Sequence, residues 1–193
     1  QAKVLYAHCT AKFRNHEYQA AVDFGEQMLA LLQQLGSVNK NYFSSCHFCL
    51  GSSYLCLWEK EGKKPSKNTS LEAQNPFFFF FRSARADVTE NYLEKAIKHL
   101  RAALVIYRES NDQTYGKKAL DKVVLCCKHQ LFNKLTPLQR RLFSHRELEA
   151  IDIAVLMQDY DLVQEIYRYN PLCLEKVDSN DFDLPPLVSA LFF

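Results

Sequence analysis

The densest cluster of chemistry-bearing side chains is Cys46-His47-Phe48-Cys49, followed by Cys56. On a helix Cys46 and Cys49 share one face, and their thiolates would bind zinc if two further ligands converged on them. Cys9, Cys126, Cys127 and His129 are the other candidates. All lie among apolar neighbours at helical spacing, where a reduced cysteine packs as a small hydrophobe. That reading is preferred, so no metal site is expected. A disulfide between the adjacent Cys126 and Cys127 is geometrically disfavoured.

Nucleophilic and phosphate chemistry find no better support. The six histidines, at 8, 16, 47, 99, 129 and 145, stand beside no Gly-x-Ser-x-Gly elbow and form no His-Glu-x-x-His helix. Five scattered glycines make neither a dinucleotide fingerprint nor a phosphate loop. The expectation is a protein with no catalytic residue and no cofactor, and not an enzyme.

The least ordinary segment is the run Phe77-Phe78-Phe79-Phe80-Phe81, preceded by Asn75-Pro76 and followed by Arg82 and Arg85. In a helix or a strand five consecutive rings cannot all face one side, and each buries ~150–250 Å² when covered. Two readings are open: the rings dock a partner whose acidic groups Arg82 grips, or they fold back onto the parent domain. Arg140 and Arg141, with His145 and Arg146, form a small basic patch that is either a solvated face or a contact for an acidic partner. No aromatic interleaving there argues for base stacking.

The elements that must position these residues are helical. The chain has 193 residues, 48% hydrophobic and 24% charged, with only 5 glycines and 6 prolines, four of the prolines beyond residue 130. This composition suits long helices with few turns and makes a sandwich or barrel improbable. A net charge of +2 supplies no global field for nucleic acid or an anionic membrane. No apolar run reaches the ~18 residues of a membrane span. Seven cysteines, an odd number placed within helical patterns, argue for reduced thiols and an intracellular, cytoplasmic or nuclear address.

Apolar periodicity predicts a helical hairpin over 3–35, interrupted at 14–17, and then a helix over 41–58 after the stop at Gly36. A helix over 89–108 is expected to start at the capping pattern Asp87-Val88-Thr89-Glu90. Asp112 is the expected cap of the next helix, whose buried face is Ala119, Leu120, Val123, Cys126, Cys127 and Leu131. A short helix from Thr136-Pro137 to about 143 follows. Ser144-His145-Arg146-Glu147 would open a helix reaching 157, and Asp159 another that ends before Pro171.

Two segments resemble the tetratricopeptide repeat family. In the first, Leu5, Cys9, Phe13, Tyr18, Ala21, Gly25 and Met28 fall where that family places packing residues, with departures at His8 and Lys12. In the second, Leu50-Gly51-Ser52-Ser53-Tyr54 looks like the family's first-helix core and Ala96, Leu100, Ala103 and Leu104 like its second helix. A glycine inside a helix costs ~1 kcal/mol, so Gly51 implies a close helix contact. Between these halves stands an insert of roughly thirty residues.

The C-terminal part resembles ankyrin repeats. Ile151, Ile153, Ala154, Leu162, Val163 and Ile166 match the helix pair, with Gln158 where a glycine is usual, and Pro186-Leu187-Val188-Ser189-Ala190 resembles the start of another repeat. The alternative is that 148–171 form one more tetratricopeptide hairpin.

The resemblance implies an all-α, helical-repeat solenoid with four parts: tetratricopeptide-like helices over 1–58, a basic and Phe-rich insert over 59–90, tetratricopeptide-like and linker helices over 91–143, and ankyrin-like repeats over 144–193, expected to continue beyond the given chain. At the positions where chaperone-type members of the family clamp a carboxylate, this chain has Tyr6, Thr10, Phe48 and Ser52, so that clamp is not expected. A groove of Tyr6, Phe13, Phe48 and Leu55 would take an amphipathic helix or an extended apolar peptide. The expected function is a protein–protein interaction scaffold or adaptor whose partners are proteins, neither membrane nor nucleic acid, and which belongs to a larger chain or complex. The alternative is a constitutive subunit of a large assembly.

Overall fold

The computed structural model describes residues 1–36, 40–62, 76–136 and 148–174, and these form seven α-helices and one 3-10 turn. Among the described residues there is no strand, and their architecture is all-α. It divides into two compact units, Gln1–Ala119 and Leu120–Phe193.

The first unit is built from α1 (Ala2–Arg14), α2 (Tyr18–Gln34), α3 (Lys40–Gly62) and α4 (Pro76–Glu109), with the opening turns of α5 (Gln113–Lys134). Helix α1 packs on α2, α2 on α3 and α3 on α4, the last being the most extensive contact. These two run antiparallel: Lys40 pairs with Glu109 at 2.9 Å, His47 meets His99, and the Tyr54 ring lies 6.1 Å from that of Tyr92.

Two glycines bring the helices together. A Cβ on Gly51 would stand 2.6 Å from Leu100 Cγ and 3.0 Å from the backbone of Ala96 and Leu100, while one on Gly25 would stand 2.7 Å from Leu50 Cδ2. The close contact expected at Gly51 is present, against the helix that carries Ala96 and Leu100. Around it Leu50, Leu93, Ala96, Leu100 and Ala103 are fully buried.

Helix α4 begins earlier than its sequence suggests. Asp87-Val88-Thr89-Glu90 is not a start but lies inside the helix, which runs unbroken from Pro76. Nothing between 76 and 89 is a helix breaker, and proline at the first helical position leaves no backbone donor wasted. Phe77, Phe78, Phe79, Phe80 and Phe81 therefore occupy its first turns. Their side chains, with those of Arg82 and Arg85, lie outside the described residues.

In the second unit the expected burial of Leu120, Val123, Cys126, Cys127 and Leu131 on α5 is met. After 137–147, which lie outside the described residues together with the expected short helix and Ser144-Glu147 capping pattern, α6 (Ala150–Leu156) and α7 (Tyr160–Tyr169) form a hairpin. The cap of α6 is Glu149 with Asp152, a reciprocal capping box, so this helix starts after the position expected from Ser144. Asp159 caps α7 as expected, accepting from the Leu162 N–H at 3.1 Å, and the helix ends at Tyr169, before Pro171. The segment 175–193, with its ankyrin-like start at Pro186, lies outside the described residues.

Three turns share one construction. His16, Asn111 and Gln158 each adopt a left-handed conformation, with φ of 61°, 55° and 57°. In each, the left-handed residue and its successor donate backwards to close the preceding helix: His16 to Phe13 and Glu17 to Lys12, Asn111 to Arg108 and Asp112 to Tyr107, Gln158 to Val155 and Asp159 to Ala154. That successor is acidic every time and begins the following helix.

Candidate functional site

The first unit contains a groove of about 350 Å³. Helix α1 contributes Tyr6, Thr10, Phe13 and Arg14: Phe13 and Arg14 follow Thr10 by three and four residues, and Thr10 follows Tyr6 by four, so all lie along one side of the helix. Helix α3 contributes Asn41, Ser44, Ser45, Phe48, Cys49 and Ser52, again at helical spacing. Tyr107 at the end of α4, Asp112 in the turn and Tyr115 in α5 close the far side.

The aromatic wall is preorganised. Tyr107 and Tyr115 stack with centroids 5.7 Å apart, and Phe48 meets both edge-on at 6.3 and 6.4 Å. Burial pushes the Tyr107 phenol up from its ordinary pKa, against the hydrogen bonds of Ser44 and Ser45, so it stays a neutral hydroxyl. The Thr10 hydroxyl turns back to the Tyr6 carbonyl at 2.9 Å and that of Ser44 to the Asn41 carbonyl at 3.1 Å.

Two polar groups at the groove lack a partner among the described residues. Ser52 is 2% exposed and its hydroxyl has no hydrogen-bond partner among the described residues, a state that costs about 1–3 kcal/mol for a buried polar group. Arg14 is exposed and has no ion-pair partner among the described residues. Asp112 on the other rim is already engaged, accepting from the Tyr115 N–H at 3.1 Å.

The flank of α3 turned to α4 carries a second polar constellation. His47 Nδ1 and His99 Nδ1 are 2.9 Å apart, Tyr54 stacks on His99 at 5.8 Å, and the Tyr54 hydroxyl donates to Glu26 Oε1 at 2.5 Å. Burial, aided by Lys98, lowers the pKa of His47. Burial, then the His47 ring and Lys98, lowers that of His99 to about 4. One imidazole N–H donates to the other's lone pair, which requires at least one neutral ring.

The Cys46-His47-Phe48-Cys49 motif is thus split by its own helix. Cys46 Sγ donates to the Gly25 carbonyl at 3.2 Å, Cys49 Sγ lies 3.0 Å from Cys9 Sγ, His47 faces α4, and Phe48 faces the groove. Among the described residues no three His, Cys, Asp or Glu side chains converge to hold a metal ion.

Of the residues expected to bind partners, Tyr6, Phe13 and Phe48 come together in the groove, joined by Thr10 and Ser52. Leu55, expected beside them, is instead buried at 3% exposure: it shares a face with Phe48, but that stretch of α3 is covered. The side chains of Phe77, Phe78, Phe79, Phe80, Phe81 and Arg82, and all of Arg140 and Arg141, lie outside the described residues. Arg14, Tyr107 and Tyr115 were not singled out for the groove from sequence. Their only signal is helical phase, since Arg14 follows Thr10 by four residues.

No helix of the described residues is long and apolar enough to cross a membrane. Compared with models of known protein families, with curated proteins and with solved structures, the chain matches none.

Proposed function

We propose that this chain is a non-enzymatic protein-interaction scaffold of helical-repeat, solenoid type, and that its groove receives an extended peptide from a protein partner. The observation that carries the reading is the pairing of an aromatic wall with an exposed arginine, Arg14, in one groove. A volume of about 350 Å³ suits one or two apolar side chains of a peptide rather than a whole helix. Arg14 at the rim favours an acidic residue next to them. The solenoid reading draws support from the successive packing of α1 on α2, α2 on α3 and α3 on α4, and from the three turns of common construction.

The test is selection of random twelve-residue peptides on the intact chain. Peptides that pair an aromatic or large aliphatic residue with an acidic one are expected. Their affinity should fall about tenfold on Arg14→Glu and should weaken as salt is raised, with the circular dichroism spectrum unchanged. Failure to enrich any peptide, or enrichment of peptides indifferent to Arg14→Glu and to Phe13→Ala, counts against the proposal.

A further inference from the structure

Cys9 of α1 and Cys49 of α3 are forty positions apart in sequence, and their sulfur atoms lie 3.0 Å apart in the first unit's core. A disulfide bond is ~2.05 Å long, so linking them needs about 1 Å of side-chain movement. Both sit in one buried cluster with Ala21, against which Phe13 and Phe24 pack; Cys9 is 1% exposed and its Sγ lies 3.2 Å from the Ala21 carbonyl. Cys49 is 8% exposed and lines the groove. Cys49, the more exposed of the two and part of the groove wall, is the one a small oxidant in the groove meets.

We infer that Cys9 and Cys49 form a reversible disulfide in response to hydrogen peroxide entering the groove, tying α1 to α3. Cys49 is the attacking sulfur. When Cys49 ionises, the Cys9 thiol can turn its one proton from the Ala21 carbonyl to the Cys49 sulfur; this hydrogen bond holds the Cys49 pKa below the ordinary thiol value although burial opposes it, and it raises Cys9. Cys46, the third thiol nearby, is pushed up to about 12 by burial and then by Cys49, and donates to the Gly25 carbonyl, so it stays protonated.

The chemistry balances with peroxide as the one oxidant. The Cys49 thiolate attacks one peroxide oxygen; the O–O bond breaks, an S–O bond forms, and the departing hydroxide takes a proton to leave as water. Cys9 sulfur then attacks the Cys49 sulfenic acid; the S–O bond breaks, the S–S bond forms, and the Cys9 proton leaves with the hydroxyl as a second water. Two thiols and one hydrogen peroxide give one disulfide and two waters. A dithiol reverses it by exchange. The bridge fixes the helix bearing Tyr6, Phe13 and Arg14 against the helix bearing Phe48 and Ser52, setting the width of the groove.

The experiment treats the full chain with hydrogen peroxide, blocks remaining thiols with N-ethylmaleimide, and maps peptides by mass spectrometry without reduction. The expected result is a loss of two hydrogens, a Cys9–Cys49 linked peptide, a thermal midpoint higher by several degrees, and reversal by dithiothreitol. Cys9→Ala should leave Cys49 as a sulfenic acid that dimedone labels, and Cys49→Ser should leave Cys9 unoxidised. If a variant fails to fold, the native chain still decides. A bridge between other cysteines, Cys49 sulfenic acid that never advances to a disulfide, or seven thiols surviving peroxide that oxidises free cysteine would overturn the inference.

Discussion

Gly51 shows how much a single position controls here. In isolation a helix gains ~1 kcal/mol when glycine becomes alanine. At this site the added Cβ would meet Leu100 Cγ at 2.6 Å and backbone atoms of Ala96 and Leu100 at 3.0 Å. Backbone cannot swing aside as a side-chain tip does, so α3 and α4 must separate along their most extensive contact. Gly51→Ala is expected to lower stability by about 1–3 kcal/mol, read from urea unfolding. A variant as stable as the native chain would show that the helices do not approach this closely.

At the scale of elements, the shared turn joins consecutive helices with few residues to spare. A left-handed residue closes one helix, and the acidic residue after it opens the next. In two of the three turns the acid also caps: Asp112 accepts from Tyr115 and Asp159 from Leu162, both at 3.1 Å. Asp159→Ala should cost about 0.5–2 kcal/mol. Gln158→Gly should be neutral or stabilising, because glycine alone adopts a φ of 57° without strain from a side chain. Melting curves of the two variants moving in the same direction would contradict this account of the turn.

At the scale of the molecule, the first unit carries a pH dependence through the His47–His99 pair. Both rings have depressed pKa values in the folded chain, His99 to about 4. Unfolded imidazoles take up protons below about 6.5 and the folded ones resist until well below it. Stability is therefore complete above about pH 6.5 and drains away as pH falls from there toward 4. The urea midpoint should drop between pH 7.5 and pH 5.0, a window in which most carboxylates stay ionised. His47→Gln combined with His99→Gln should flatten it, and a native profile already flat there would refute the buried neutral pair.

What the sequence determined by itself was the helical class and most of the helix faces. Spacing alone marks the hairpin over 3–35 with its break at 14–17, the buried face of α5, the caps at Asp112 and Asp159, and the close contact at Gly51, because these depend on neighbours within one or two turns. Long-range partnership is a different matter. Nothing near Cys49 indicates that Cys9, forty residues away, lies against it, nor that His47 turns from Cys46 and Cys49 to meet His99. Helical phase fixes the direction in which a side chain leaves its helix, and only the packing of α1, α3 and α4 decides what it finds there. The groove follows the same rule: Tyr6, Phe13 and Phe48 were legible as a set, while Leu55 drops out and Arg14, Tyr107 and Tyr115 enter, because burial is settled by neighbouring helices and not by the residue.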